Sequence, residues 1–265
     1  MKNVFRKIFR VLRRSCEIYE MLFYWLLRRK PQRGSSRIVV IQNSHLGDFV
    51  LSLPFFTRLK EFCNGDLVLV SDSRIEEVAR SSGLFAEFVG LDMKRASGYR
   101  HLLYRVKVLW QLRAITAGKV VQCFGVGATN FEDCMALSIR ADERYAFVGS
   151  RYNVQRSGLL YDALKCNVYS HTLPYRMELS LVANENNYAN FITGGEQTVS
   201  VGDLECFEPL PERDACLGDY CLIIPGADDP RRRWEAEKFA CLARQVVAIH
   251  HNLISFSSAL LRSRK

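Results

Sequence analysis

The sequence of 265 residues lacks paired metal ligands. Its nine cysteines are scattered without a Cys-x-x-Cys pair, and no histidine cluster lies near them. An odd, unpatterned set of thiols fits reduced cysteines in a cytosolic compartment, and the missing ligand pairs argue against a zinc site. Long apolar runs are also missing. The densest, MLFYWLL at 21–27, falls well short of the roughly 20 residues that cross a bilayer. Glu17 and Glu20 interrupt any signal-peptide core, and no small-residue cleavage site follows. The Gly-x-Gly-x-x-Gly fingerprint is absent, which leaves a nicotinamide role poorly supported. No repeat of 20–50 residues and no low-complexity tract is present.

What remains is the composition of an ordinary globular protein, 48% hydrophobic and 25% charged. The net charge of +9 is concentrated. Residues 1–37 hold eleven Lys or Arg against two acids, a surplus equal to that of the whole chain, so the rest is neutral. This argues against a general nucleic-acid binder. Residues 1–36 form a basic arm with helical periodicity. Val4, Phe5, Ile8, Leu12, Cys16, Tyr19, Phe23 and Leu26 fall near one stripe, and Lys2, Arg6, Lys7, Arg10, Arg13 and Arg14 largely oppose it. Such a helix can lie in a membrane interface, its arginines on anionic headgroups and its aromatics in the boundary. The plainer alternative is a helix packed on its own domain with a solvated basic face.

PQRGSS at 31–36 breaks this pattern, and strands then alternate with helices. Strands are expected at 37–42, 66–71, 86–91, 119–124 and 145–149. Helices are expected at 49–62, 75–82, 101–116, 130–139 and 174–192. Apolar strands without alternation, separated by helices, predict an α/β fold with a mostly parallel sheet covered on both faces. Residues 37–193 form the first domain on this reading and the Gly-, Pro- and acid-rich 194–218 a linker. From 219 to 265 a second unit begins, with a strand in YCLIIPG and a helix from about Trp234 to Ile249.

The chemistry concentrates where the first strand meets its helix, in IVVIQNSHLGDFVLSLPFFTRLKEF at 38–62. Ligands of open parallel sheets bind at the carboxyl ends of strands. Gly47 allows close backbone approach there, and the helix that follows offers free N–H groups. Asp48 fits two roles on local pattern, a helix cap worth about 1 kcal/mol or a catalytic carboxylate. GVGATN at 125–130 is another strand-end loop that could line the same cleft.

This stretch resembles the opening of glycosyltransferase family 9, the lipopolysaccharide heptosyltransferases: a strand, a short loop holding Gly-Asp, and a helix with an apolar run and Leu-Pro. IIPGADDPRRRWEAEKFACLA at 223–243 is similar to the Pro-Gly loop, basic-x-Trp segment and helix that open that family's second domain. HTLPYRMELSL at 171–181 resembles the helix before its interdomain linker. The resemblance spans about 37–245. It implies a GT-B-type fold with two Rossmann-like domains, the first for a lipid A-core acceptor and the second for a nucleotide sugar, commonly ADP-heptose. It implies inverting transfer without a metal or other cofactor. Asp48 would be the general base. Arg232, where the family often has Lys, would bind the donor phosphates with Gly226 and Arg233. Ser44, His45 and Gly47 would border the acceptor. The resemblance also implies a cytoplasmic enzyme, peripheral on the inner face of the bacterial inner membrane, with residues 1–30 on the anionic surface and no nucleic-acid partner.

The pattern departs from the family near Leu253. Residues 220–265 are few beside the roughly 100–150 of an ordinary domain, and the Asp-x-Gly-x-x-His-type segment that grips the donor is missing. The expectation is a truncated second domain with reduced or lost activity. The alternative reading is a non-catalytic, membrane-associated binding or assembly protein built on the first domain.

Overall fold

The computed structural model describes residues 34–43, 45–63, 65–97, 99–123, 130–148, 168–196 and 234–249, with isolated positions at 19, 22 and 198. The chain divides into two compact units, Met1–Phe207 and Glu208–Lys265. In the first unit the elements run β1 (Ile38–Gln42), α1 (Leu46–Leu51), α2 (Leu53–Phe62), β2 (Leu67–Asp72), α3 (Glu76–Ser81), β3 (Glu87–Leu91), α4 (Met93–Ser97), α5 (Leu102–Leu112), β4 (Thr116–Gln122), α6 (Asn130–Ser138), β5 (Arg140–Val148), β6 (His171–Pro174) and α7 (Leu181–Thr193). Of the second unit, helix α8 (Ala236–Ile249) is described. The expected strand at 220–226, with Gly226, Arg232 and Arg233, lies outside the described residues.

The six strands among the described residues form one sheet in the order β3-β2-β1-β4-β5-β6, every pair parallel. Strand β1 is central and buried throughout. Because side chains alternate across a strand, its residues feed two cores. Val39 and Ile41 pack under α5 and α6 with Val108, Leu109, Phe131 and Met135. Ile38 and Val40 pack under α2 and α7 with Phe55, Phe56, Leu59 and Tyr188. This is why the strand reads as an unbroken apolar run. Gly118 on β4 is required by packing, since a Cβ there would collide with the Ser35 carbonyl oxygen.

Two expected helices are revised. The stretch 49–62 is two helices joined at Ser52, and the first begins at Leu46. Pro54 has no N–H to donate back to Val50, so the first helix stops and a second starts with proline in its first turn. Residues 174–192 are not one helix. His171–Pro174 is an edge strand beside β5, and the helix begins at Leu181. Pro174 suits the end of an edge strand. Ser180 is the true cap, its hydroxyl accepting from the Ala183 N–H at 3.2 Å. Gly194 closes the helix at φ 71°, a left-handed conformation that favours glycine.

Candidate active site at the switch point of the sheet

Strands β1 and β4 are neighbours in the sheet but their connections run to opposite sides, so a crevice opens beyond their carboxyl ends. The segment after β1 crosses this point. His45 is the N-cap of α1, exposed and making no side-chain cap bond. Asp48 lies in the first turn of α1 and is exposed. It is therefore not the cap, and its carboxylate faces solvent near the positive end of the helix. Gly47 is also exposed, and a Cβ there would meet nothing within 4 Å. A glycine costs a helix about 1 kcal/mol relative to alanine. Among the described residues, packing gives no reason for that cost, and a close backbone approach by a ligand would be one. Ser44 and residues 124–129 lie outside the described residues.

The loop is anchored on both faces of the sheet by buried polar groups. On one face the Asn43 side-chain amide donates to Glu132 Oε1 of α6 at 2.9 Å. On the other, Gln42 Nε2 donates to Ser52 Oγ at 2.8 Å. The Ser52 hydroxyl also contacts the Asp48 carbonyl oxygen at 2.9 Å and Glu185 Oε1 of α7 at 2.8 Å. Tyr188 Oη donates to the Gln122 carbonyl at 3.3 Å and ties α7 to the end of β4. Several buried polar atoms here have no partner among the described residues: Gln42 Oε1, both ends of the Gln122 amide, Glu132 Oε2 and Glu185 Oε2. Native cores rarely leave such atoms unpaired, and these four side chains gather where β1, β4, α6 and α7 meet.

Burial dominates the acidity of the two carboxyls. It lifts Glu132 to about 7, against the Asn43 hydrogen bond, which lowers it. It lifts Glu185 to about 8, against the Ser52 hydrogen bond, with the Asp48 charge raising it further. Cys123, at the end of β4, is likewise pushed up by burial and by Glu185.

Stability should therefore fall as pH rises. The unfolded chain releases the Glu132 proton near the ordinary 4.5, whereas the folded chain holds it to about 7. Between those values the native state binds more protons, so ionisation favours unfolding, by about 1.4 kcal/mol per pH unit of difference. The Glu132 contribution levels off above about 7, and that of Glu185 continues to about 8. The expected result for Glu132→Gln is a shallower decline between pH 5 and 7 than in the wild type, read from urea midpoints. Parallel profiles would show that Glu132 ionises normally.

Sequence reasoning assigned no role to Asn43 and missed Ser52, Glu132 and Glu185. A signal was present. Glu185 shares a helical stripe with Tyr188, Ala189 and Ile192, and Glu132 shares one with Met135, Ala136 and Ile139. An acid on an apolar stripe marks a buried charge site. Among the described residues no group of three or more His, Cys, Asp or Glu could hold a metal ion. None of the described helices is long and apolar enough to cross a membrane.

Comparison with solved structures decides the fold. The E. coli heptosyltransferase WaaC with ADP-2-deoxy-2-fluoro heptose matches with a TM-score of 0.62 at 13% identity, over 84% of this chain and 70% of that one. A glycosyl transferase family 9 protein from Veillonella parvula DSM 2008 matches with a TM-score of 0.55 at 18% identity, over 83% and 62%. The chain shares the fold of these glycosyltransferases. The E. coli ADP-heptose lps heptosyltransferase II agrees, with a TM-score of 0.51 at 14% identity over 80% and 62%. The chain thus spans 62–70% of the length of these three glycosyltransferases. No protein-family model matches the sequence, and no curated protein does. The α/β architecture with a parallel Rossmann-like sheet, expected from the strand and helix pattern, is the one observed.

Proposed function

We propose that the chain is a glycosyltransferase of the lipopolysaccharide heptosyltransferase type. It transfers a heptose or related sugar from a nucleotide sugar to a lipid A-core acceptor, with inversion and without a metal. One observation carries this reading. An exposed aspartate sits in the first helical turn at the switch point of a sheet whose fold is that of solved heptosyltransferases. The WaaC structure holds an ADP-heptose analogue, which supports ADP-heptose as the donor class.

In this mechanism the Asp48 carboxylate accepts the proton of an acceptor hydroxyl. The oxygen attacks the anomeric carbon from the face opposite the diphosphate. A new C–O bond forms as the bond to the leaving oxygen breaks, and the electron pair departs with the nucleoside diphosphate. Arg232 and Arg233 pair with that developing charge, Arg232 by two parallel hydrogen bonds, and the backbone at Gly226 approaches the phosphates. Ser44, His45 and Gly47 border the acceptor. Residues 1–30 hold the enzyme to an anionic membrane surface.

Titration calorimetry with ADP-heptose tests the donor assignment. Saturable binding is expected, weakened about 10- to 100-fold by Arg232→Ala, the range for a charged hydrogen bond. Full affinity in that variant contradicts the phosphate contact, and no binding by the wild type contradicts the reading. Co-sedimentation with anionic vesicles, lost on deleting residues 1–30, checks the membrane contact.

A further inference from the structure

Helix α7 carries Glu185 on its buried face, one turn before Tyr188 and Ala189. Among the described residues only one of its carboxyl oxygens has a hydrogen-bond partner, the Ser52 hydroxyl. That hydroxyl makes three contacts: Glu185 Oε1 at 2.8 Å, Gln42 Nε2 at 2.8 Å and the Asp48 carbonyl oxygen at 2.9 Å. A hydroxyl has one hydrogen and two lone pairs. The Gln42 amide nitrogen can only donate, so it takes one lone pair. The Asp48 carbonyl can only accept, so it takes the hydrogen. The third contact then closes only when Glu185 brings a hydrogen of its own to the remaining lone pair. All three contacts are satisfied together when Glu185 is a neutral acid.

We propose that Glu185 is a positioning residue for the Asp48 turn. As a neutral acid it leaves the Ser52 hydrogen on the Asp48 carbonyl, and as a carboxylate it draws that hydrogen to itself. The second state loses a proton to solvent and rotates one hydroxyl; no other bond changes. The Asp48 carbonyl then keeps its backbone bond from the Ser52 N–H, at 3.0 Å. The turn loosens without unfolding. The groups facing Glu185 favour the neutral form. Asp48 on α1 is acidic, and Cys123 at the end of β4 and Tyr188 on α7 are both pushed toward their neutral forms by burial. With its pKa lifted to about 8, chiefly by burial, Glu185 holds its proton at neutral pH and releases it in mildly alkaline solution. The consequence for sugar transfer rests on the reading of Asp48 as the base; the hydrogen-bond switch does not.

The test is amide hydrogen exchange over residues 46–52 at pH 6.5 and 9, corrected for intrinsic rates, in the wild type and Glu185→Gln. A glutamine donates to Ser52 at both pH values. Protection should fall several-fold in the wild type at pH 9 and hold in the variant. An equal fall in both, or none in the wild type, overturns the proposal. The carboxyl carbon shift of Glu185 in the wild-type chain provides a second reading that needs no variant. A midpoint near 8 is expected, and one near the ordinary 4.5 overturns it. Neither measurement uses a substrate. A chain that shows the switch but transfers no sugar counts against the proposed function alone.

Discussion

If Asp48 is the base of the proposed reaction, Asp48→Asn should lower the rate of sugar transfer by about 10²–10⁴-fold, the usual contribution of a positioned general base. That is about 3–5 kcal/mol of transition-state stabilisation. The side chain is exposed in the first turn of α1, and no hydrogen bond to its carboxylate is among those of the described residues, so the substitution disturbs no packing. An asparagine keeps the shape but cannot take the acceptor proton. Donor affinity should stay within about twofold, because in the proposed mechanism Asp48 acts on the acceptor and not on the nucleotide. Initial rates at saturating donor, compared with calorimetry on the same variant, separate the two. A transfer rate reduced only in step with donor affinity would make Asp48 a binding residue and remove it as the base.

Phe56→Ala should cost about 3–5 kcal/mol of folding stability, near the upper range for large-to-small changes in a core. Phe56 is fully buried under β1. Its ring lies 5.5 Å from that of Phe49, 5.6 Å from Phe55 and 5.1 Å from Phe85, the last two in edge-on geometry. Phe49 belongs to α1, so the cavity would open directly behind the turn that carries Asp48. A domain is usually stable by only about 5–15 kcal/mol, so this one change removes a large share. Urea midpoints give the difference. Leu103→Ala, at a residue 88% exposed, serves as the control and should stay within about 0.5 kcal/mol. A Phe56 loss no greater than that of Leu103 would show that the aromatic cluster closes over the gap.

The parallel sheet was legible because β1 and β2 are buried on both sides throughout. Continuous apolar runs such as IVVIQ and LVLVSD are too short for a buried helix and suit a strand covered on both faces. The place of Asp48, exposed in the first helical turn beyond the end of β1, was legible because a loop and helix follow that strand. The boundary at Ser52 was harder, since Phe49, Leu53, Phe55, Phe56 and Leu59 bury together across two helices and read as one apolar face. The edge strand His171–Pro174 was hidden for a different reason. It pairs with β5 on one side only, its burial alternates over four residues, and the resemblance of 171–181 to a helix pointed the other way. The buried acids escaped because their partners are remote. Asn43 and Glu132 are 89 residues apart, and Ser52 and Glu185 are 133 apart. An acid on an apolar stripe announces a partner without saying where it is, and the sheet alone brings the two together.

The most direct measurement is release of nucleoside diphosphate from ADP-heptose by the full chain, with and without a lipid A-core acceptor. Acceptor-dependent release, with the sugar recovered on the acceptor and abolished by Asp48→Asn, is the predicted result. Saturable donor binding with no acceptor-dependent release at any pH between about 6 and 9 would contradict it, and would leave this fold as a binding protein rather than a transferase.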